Sequence, residues 1–350
     1  MTRAVDAVDA RLLNVLQEGV PLVERPFAAI GERLGVPEAD VIARVAELKK
    51  PGAAVIRQIG GIFDSGSLGY RSCLVAAMVP EERVADAVRV LNGHPGVSHN
   101  YRRSHAYNVW YTVAVPPLSR LGLEGTVDLL HRQSCATATR MLPTLKLYKI
   151  GVKFDLTEER DALSRSADGE AKGARTSPPA KFVATDEDRR IIRVLQQDLP
   201  VVDRPFDGWA EQAGLPVARL LQAARGYLAG GQLRRFAAVL RHRQAGFSAN
   251  AMGVWPVPAG EQDRFGATAA TFAAVSHCYL RPTYEDWPYS IFTMVHAPTP
   301  AECEAVLAAI SDATGVKGYG ALYSTEEFKK VRVRYFTGEV EAWESQAAGG

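Results

Sequence analysis

The segment DARLLNVLQEGVPLVERPFAAIGERLGVP at positions 9–37 returns without a gap as DRRIIRVLQQDLPVVDRPFDGWAEQAGLP at 188–216, so that Arg25-Pro26-Phe27 falls on Arg204-Pro205-Phe206. A repeat of this length within one chain means two copies of one structural unit. Further on, VSHNYRR at 97–103 meets VSHCYLR at 275–281, and YTVAVP at 111–116 meets FTMVHAP at 292–298. Each copy therefore has two parts, and together the copies account for most of the 350 residues.

The first part of each copy reads as three helices. Leu12, Leu13 and Leu16 recur at helical spacing, Pro26 starts a second helix bearing Ile30 and Leu34, and Gly35-Val36-Pro37 turns into a third with Val41, Ile42, Val45 and Leu48. VIRQIGGIFD then resembles a hairpin wing, which completes the outline of a winged helix-turn-helix. The second part alternates RSCLVAAMVP (strand), EERVADAVRVLNG (helix), GVSHNYRRSH and YNVWYTVAVP (strands), GLEGTVDLLHRQ (helix) and RMLPTLKLYKIGVKFD (strand). That βαββαβ order is ferredoxin-like, with helices on one sheet face and the other face open to pairing or a ligand.

The fold class is α+β: two tandem copies of a winged helix-turn-helix followed by a ferredoxin-like domain, packed as a pseudo-dimer. The boundaries expected are 1–64 and 65–156 for the first copy, 182–243 and 244–338 for the second, and 339–350 as a tail. Residues 157–181 are poor in large apolar groups and read as a flexible linker long enough to let the copies associate.

Composition narrows the function classes. Lys+Arg number 41 against 39 Asp+Glu, a net charge of +2 that argues against an undirected grip on nucleic acid. MTRAVDAVDARLLNVLQ lacks the apolar stretch of a signal peptide, and no apolar run approaches the roughly 18 residues of a membrane span. Cys73, Cys135, Cys278 and Cys303 are dispersed, so a reducing cytoplasm is expected and a metal site is not. The third helices begin PEADVIARV and PVARLLQAA, in which Glu38 and Asp40 would repel phosphates and Arg44 and Arg219 are the cations. DNA is therefore not expected as a partner, although Arg234, Arg235, Arg241 and Arg243 follow the third helix of the second copy.

The second strand of each sheet carries the chemistry. Alternation puts His99, Tyr101, Arg103 and His105 on one face and Ser98, Asn100, Arg102 and Ser104 on the other; in the second copy His277, Tyr279 and Arg281 share a face. Arginines hold carboxylates in bidentate geometry, tyrosine offers a ring face and a hydroxyl, and histidine donates a proton near neutral pH or ligates iron. The ligand so implied is an aromatic polycarboxylate. Tyr284, Trp287 and His296 are expected to line the same cavity, with Arg102 beside Arg103, whereas His94, His131 and His242 read as solvated groups.

On these strings the chain resembles the sirohaem decarboxylases, a family of Lrp/AsnC-like architecture. The resemblance rests on RPF, LGY at 68–70, VSHNYRRSHAYNVWYT at 97–112 and VSHCYLRPTYEDWPYSIFTMVH at 275–296, and covers nearly everything except the linker and tail. Copy one looks like one subunit type and copy two like its partner, joined as in the fused D and L type. The resemblance implies decarboxylation of two acetate side chains of sirohaem to 12,18-didecarboxysirohaem, toward haem d1 or toward haem by the alternative route. It also implies no added cofactor, the iron-containing sirohaem being the substrate, and complementary decarboxylase subunits as further partners. His99 or His277 would donate the proton, Arg103 and Arg281 would anchor carboxylates, and Tyr101 and Tyr279 would form the wall; a histidine that ligates the iron instead would be withdrawn from proton transfer. The competing readings are a haem-responsive Lrp/AsnC-like DNA-binding regulator and a non-catalytic tetrapyrrole carrier.

Overall fold

Both copies open on three helices whose limits the sequence dictates. In the computed structural model, which describes residues 5–50, 55–150, 182–240 and 249–347, these are α1 (Ala7–Glu18), α2 (Pro26–Leu34) and α3 (Glu38–Lys49), then α6 (Asp186–Leu195), α7 (Asp207–Ala213) and α8 (Val217–Gly230). Asp6 caps α1 and Thr185 caps α6, each in a reciprocal capping box with the aspartate three residues on. Gly35 and Gly214 end the second helices at φ 71° and 68°, a left-handed backbone that suits glycine. Leu12, Leu13 and Leu16 of α1 and Ile191, Ile192 and Leu195 of α6 are completely buried, as the helical spacing requires.

The expected hairpin wings are absent among the described residues. Instead β1 (Ile56–Phe63) pairs antiparallel with β7 (Leu233–Leu240), one strand from each copy, with Gly60 opposite Ala237. IRQIGGIF offers no second apolar run across a two-residue turn, so its partner comes from the other copy. The glycines permit close approach: a Cβ on Gly60 would lie 2.4 Å from the Gln197 carbonyl oxygen. Val20 N–H to Phe236 O and Leu199 N–H to Ile59 O, both 2.7 Å, add two more bonds between the copies. The residues that would read DNA are engaged locally: Arg44 by Asp6 and Asp9, Arg219 by Glu187 and Arg234 by Asp64. Arg241, His242 and Arg243 lie outside the described residues, as does the 157–181 linker.

The remaining elements are β2 (Arg71–Met78), α4 (Val84–Gly93), β3 (Val97–Arg103), β4 (Val109–Val115), α5 (Gly122–Gln133), β5 (Ala138–Leu142) and β6 (Lys146–Ile150). Their second-copy counterparts are β8 (Ala249–Trp255), α9 (Gln262–Ala270), β9 (Val275–Leu280), β10 (Ile291–Ala297), α10 (Pro300–Thr314) and β11 (Gly320–Lys330). The strands form one nine-stranded sheet in the order β5-β2-β4-β3-β11-β8-β10-β9-β6. The single final strand expected in copy one is split at Pro143, which cannot donate to a ladder. Its first half, β5, stays with β2, and its second half, β6, crosses to β9 of the other copy. In return β11 pairs through Gly320–Tyr323 with β8 and through Ser324–Lys330 with β3. The copies exchange their last strands, an isologous arrangement within one chain.

Each half has an apolar cluster under its helices, one including Val75, Leu91, Val113 and Leu130, the other Phe265, Val295, Leu307 and Ile310. A third cluster joins the faces turned away from the helices: Ala76, Trp110 and Leu142 from copy one with Met252, Val254, Phe292 and Leu322 from copy two. The open sheet face is therefore where the copies meet, as the pseudo-dimer reading expects.

The domain limits differ from the sequence expectation at the C-terminus. Contacts divide the chain into a winged-helix unit (1–70, 179–244, 334–338) and a sheet unit (71–178, 245–333, 339–350). Within the first, Tyr335 and Phe336 set their rings 5.0 and 5.4 Å from Tyr70. Within the second, the expected tail forms α11 (Glu339–Ala347), whose Glu344 is buried and accepts from Ser119 Oγ and the Arg120 N–H. Trp343 of α11 stands edge-on to His94 at 4.4 Å. His94 is thus fully buried rather than solvated, its Nδ1 accepting from Gly96 N–H at 3.0 Å, and burial pulls its pKa down to about 4. Among the described residues no helix is long and apolar enough to cross a membrane.

Two outcomes follow from this packing. Gly60→Ala should destabilise the winged-helix unit by about 1–3 kcal/mol, because the added methyl meets backbone rather than a yielding side chain; denaturant unfolding followed by circular dichroism measures it. Because folded His94 resists protonation, the unfolded chain binds its proton first. Stability is full above the ordinary histidine pKa of 6.5 and is lost as pH falls from there toward 4. His94→Asn should flatten that slope in unfolding midpoints measured across the same range.

Candidate active site

A β-bulge repeated in both copies places the histidines. On β3, Val97 opposes Val113 while His99 opposes Thr112, so one extra residue is accommodated; on β9, Val275 opposes Val295 while His277 opposes Met294. Past the bulge Asn100 turns to the helices, its Nδ2 donating to Asn92 Oδ1 at 3.0 Å, and Cys278 joins the helix-side core. His99 and Tyr101 consequently lie on the face toward the other copy with rings stacked 6.2 Å apart, and His277 and Tyr279 likewise at 5.9 Å. The bulge also overrides strict alternation at the preceding serine. Ser98 Oγ lies 3.0 Å from His99 Nδ1, and Ser276 Oγ lies 2.8 Å from His277 Nδ1.

Each row ends in a buried arginine that crosses to the other copy. Arg103 donates to the Leu322 carbonyl at 2.8 Å, and Arg281 donates to the Leu142 carbonyl. Arg103 lies over the rings of Tyr101 (6.0 Å) and Trp110 (5.9 Å), and Arg281 over Tyr279 (4.8 Å) and Phe292 (5.3 Å). The Nε of each has no hydrogen-bond partner among the described residues, and no carboxylate contributes to the electrostatics of either. Burial pulls both guanidinium pKa values down to about 10, which still leaves them cationic at neutral pH. A buried cation facing only carbonyls and rings is costly unless an anion joins it. Each arginine thus lacks the anionic partner that would offset its burial.

Strand exchange makes the two rows unequal. Beside β3 runs β11, with Glu327 opposite Tyr101 and Lys330 opposite His99; beside β9 runs β6, with Leu147 opposite Tyr279 and Ile150 opposite His277. Burial and then Glu327 push the Tyr101 phenol up to about 12. Burial, then His296 and Arg281, pull His277 down to about 4, so its imidazole is neutral in the free protein. Where β10 carries His296 the aligned strand β4 carries Ala114, so copy two alone pairs two histidines.

The other candidate residues divide. Arg102 faces away from the row and is paired with Glu81, and so does not join Arg103. His105 accepts from Tyr107 N–H at 3.0 Å and sets its ring edge-on to Trp287 at 5.3 Å. Trp287 is completely buried against Tyr107, Trp110, Tyr289 and Phe292, a wall of the core between the copies. Tyr284 donates to the Met141 carbonyl at 2.5 Å and carries Arg140 over its ring at 5.2 Å. Sequence reading missed the clasp this belongs to: Asp286 takes two bonds from Arg140, at 2.9 and 2.8 Å, and one from Tyr107 Oη at 2.7 Å. Those contacts hold its carboxyl down at about 2. Gly320 stands where copy two would repeat Arg140, so the internal repeat gave no signal for it. For Ser98 and Ser276 there was one, the VSH string common to both halves.

Comparisons with known proteins identify the family. Residues 67–149 and 244–329 match the AsnC-like ligand binding domain, and residues 9–57 and 188–234 match the Siroheme decarboxylase NirDL-like HTH domain. A Siroheme decarboxylase of Hydrogenobacter thermophilus is 37% identical over 334 residues, covering 95% of this chain and 96% of that protein. The crystal structure of the siroheme decarboxylase NirDL in complex with an iron-uroporphyrin III analogue is 31% identical, superposes with a TM-score of 0.79 and covers 98% of this chain and 99% of that one. The Siroheme decarboxylase beta subunit of Methanosarcina barkeri is 42% identical over 147 residues, matching 42% of this chain but 97% of its own length. A chain with this pair of folded copies, matched end to end by these relatives, belongs to the sirohaem decarboxylase family, in its fused two-copy form.

Proposed function

We propose that the chain is a carboxy-lyase that removes CO2 from two acetate side chains of sirohaem, giving 12,18-didecarboxysirohaem. The observation that carries this is the pair of buried guanidinium groups, each without a carboxylate and each sharing a face with a tyrosine and a histidine. A tetrapyrrole with several carboxylates supplies the missing anions, and its flat ring matches the aromatic walls around Arg103 and Arg281.

The chemistry needs few groups. For each acetate the bond between the methylene and the carboxylate breaks, CO2 leaves, and the electron pair stays on the methylene carbon, delocalised into the macrocycle. A proton then forms the new C–H bond and leaves a methyl group. The iron belongs to the substrate, and we assign no added organic cofactor or resident metal to the reaction. Arg103 and Arg281 anchor carboxylates that are retained, and His99 or His277 delivers the proton from Nε2. The neutral state of His277 in the free protein fits this, because the incoming carboxylates favour its protonation only once substrate is bound. The product serves a route to haem d1 or to haem, in the cytoplasm. One chain carries both subunit types, which supports turnover by the fused chain itself.

Incubating the full chain anaerobically with sirohaem, with mass spectrometry of the pigment, tests the assignment. Loss of CO2 units that heat-treated protein does not cause is expected; an unchanged pigment overturns the reading, and salt-dependent retention of duplex DNA in its place would favour the regulator. Arg103→Met and Arg281→Met together should abolish turnover and weaken sirohaem binding by roughly 10- to 100-fold, the loss of a charge-assisted hydrogen bond or more. The same double variant should unfold no more easily than the parent, since each substitution removes an uncompensated buried charge. Absorption titration and thermal melting read the two effects separately.

A further inference from the structure

The serine within each bulge is an unassigned part of the machinery. An imidazole that takes up and passes a proton at Nε2 keeps its other proton on Nδ1 throughout. That Nδ1–H wants an acceptor both in the imidazolium and in the neutral ring left when the Nε2 proton is gone. A hydroxyl meets the demand, provided its own proton has an acceptor of its own. Ser276 Oγ is 2.8 Å from His277 Nδ1 and 3.2 Å from the Met294 carbonyl; Ser98 Oγ is 3.0 Å from His99 Nδ1 and 2.9 Å from Thr112 Oγ1. Met294 and Thr112 are the residues that oppose the two histidines across the ladder, so the second acceptor is supplied at the same place in both copies. Both serines are buried, at 5% and 6% exposure, and solvent is poorly placed to substitute for the hydroxyl.

We propose that Ser276 and Ser98 are positioning residues whose hydroxyls accept from the imidazole Nδ1–H and donate to the ladder acceptor, holding His277 and His99 in the tautomer that leaves Nε2 to carry the transferred proton. The bulge is what makes this geometry: with strict alternation the serine would face the helices and Nδ1 would have no hydroxyl from the preceding residue. The hydroxyls do not touch the reacting carbon. They act by keeping the histidine ring from rotating as its proton leaves.

This inference rests on the decarboxylase reading, and the parent chain, assayed in parallel, keeps the two apart: a parent that leaves sirohaem unchanged defeats that reading. The serines are tested with Ser98→Ala and Ser276→Ala, singly and together, and with the corresponding threonine variants, all in the full chain. The double alanine variant should lose about 10- to 100-fold in kcat with KM within about twofold, and threonine should restore most of it. Without substrate, ¹⁵N spectra of the ring nitrogens should show the Nδ1 of His277 altered by Ser276→Ala and restored by Ser276→Thr. Parental kcat in the double alanine variant, or unchanged ring nitrogens, would overturn the proposal. Joint loss of sirohaem binding, turnover and melting temperature would overturn it too, by making the serines merely structural.

Discussion

Two guanidinium groups held out of water without a carboxylate carry a desolvation penalty of several kcal/mol each, and the sheet unit is organised around keeping them there. Arg103 reaches a carbonyl of copy two and Arg281 a carbonyl of copy one, so each cation is held by the half to which it does not belong. The exchanged strands, the shared apolar cluster and the aromatic walls all serve that reciprocity. Stability is given up at both arginines, a pattern common at binding sites.

Fusion of the copies allowed the two rows to diverge while their frame stayed alike. The bulge, the stacked histidine and tyrosine and the crossing arginine are preserved in both. The flanking strand differs: Glu327 and Lys330 beside one row, Leu147 and Ile150 beside the other. Burial and then Glu327 raise the Tyr101 phenol in the first row, and burial, then His296 and Arg281, press His277 of the second toward neutrality. The Asp286 clasp, with Arg140 and Tyr107 from copy one and Asp286 from copy two, has no mirror image in the repeat. A homodimer would impose both environments equally on its two sites; one chain does not have to.

Much of this was legible in the sequence because it depends on period. The gapless repeat gave the two copies, the 3.6 spacing gave the helices, and alternation gave the rows from His99 to Arg103 and from His277 to Arg281. What escaped depends on partners distant in the chain. The hairpin wings became β1 paired with β7, and the last strand of copy one split at Pro143 and crossed over, because hydrogen-bond partners are chosen by the assembled fold rather than by the local pattern. The bulge moved Ser98 beside His99 by one inserted residue that alternation cannot register. His94 and the supposed tail were misjudged for one reason, a helix more than two hundred residues away whose Trp343 covers the histidine.

The exchange of last strands also sets an order of events during synthesis. The edge of β3 stays unpaired until Ser324–Lys330 of β11, more than two hundred residues further along the chain, has been made. Until then the first copy presents an open strand edge, a surface that invites pairing with other chains. Its histidine row cannot be enclosed while the second copy is still being made. Contacts so distant in sequence slow folding, and they lengthen the time for which that edge stays open.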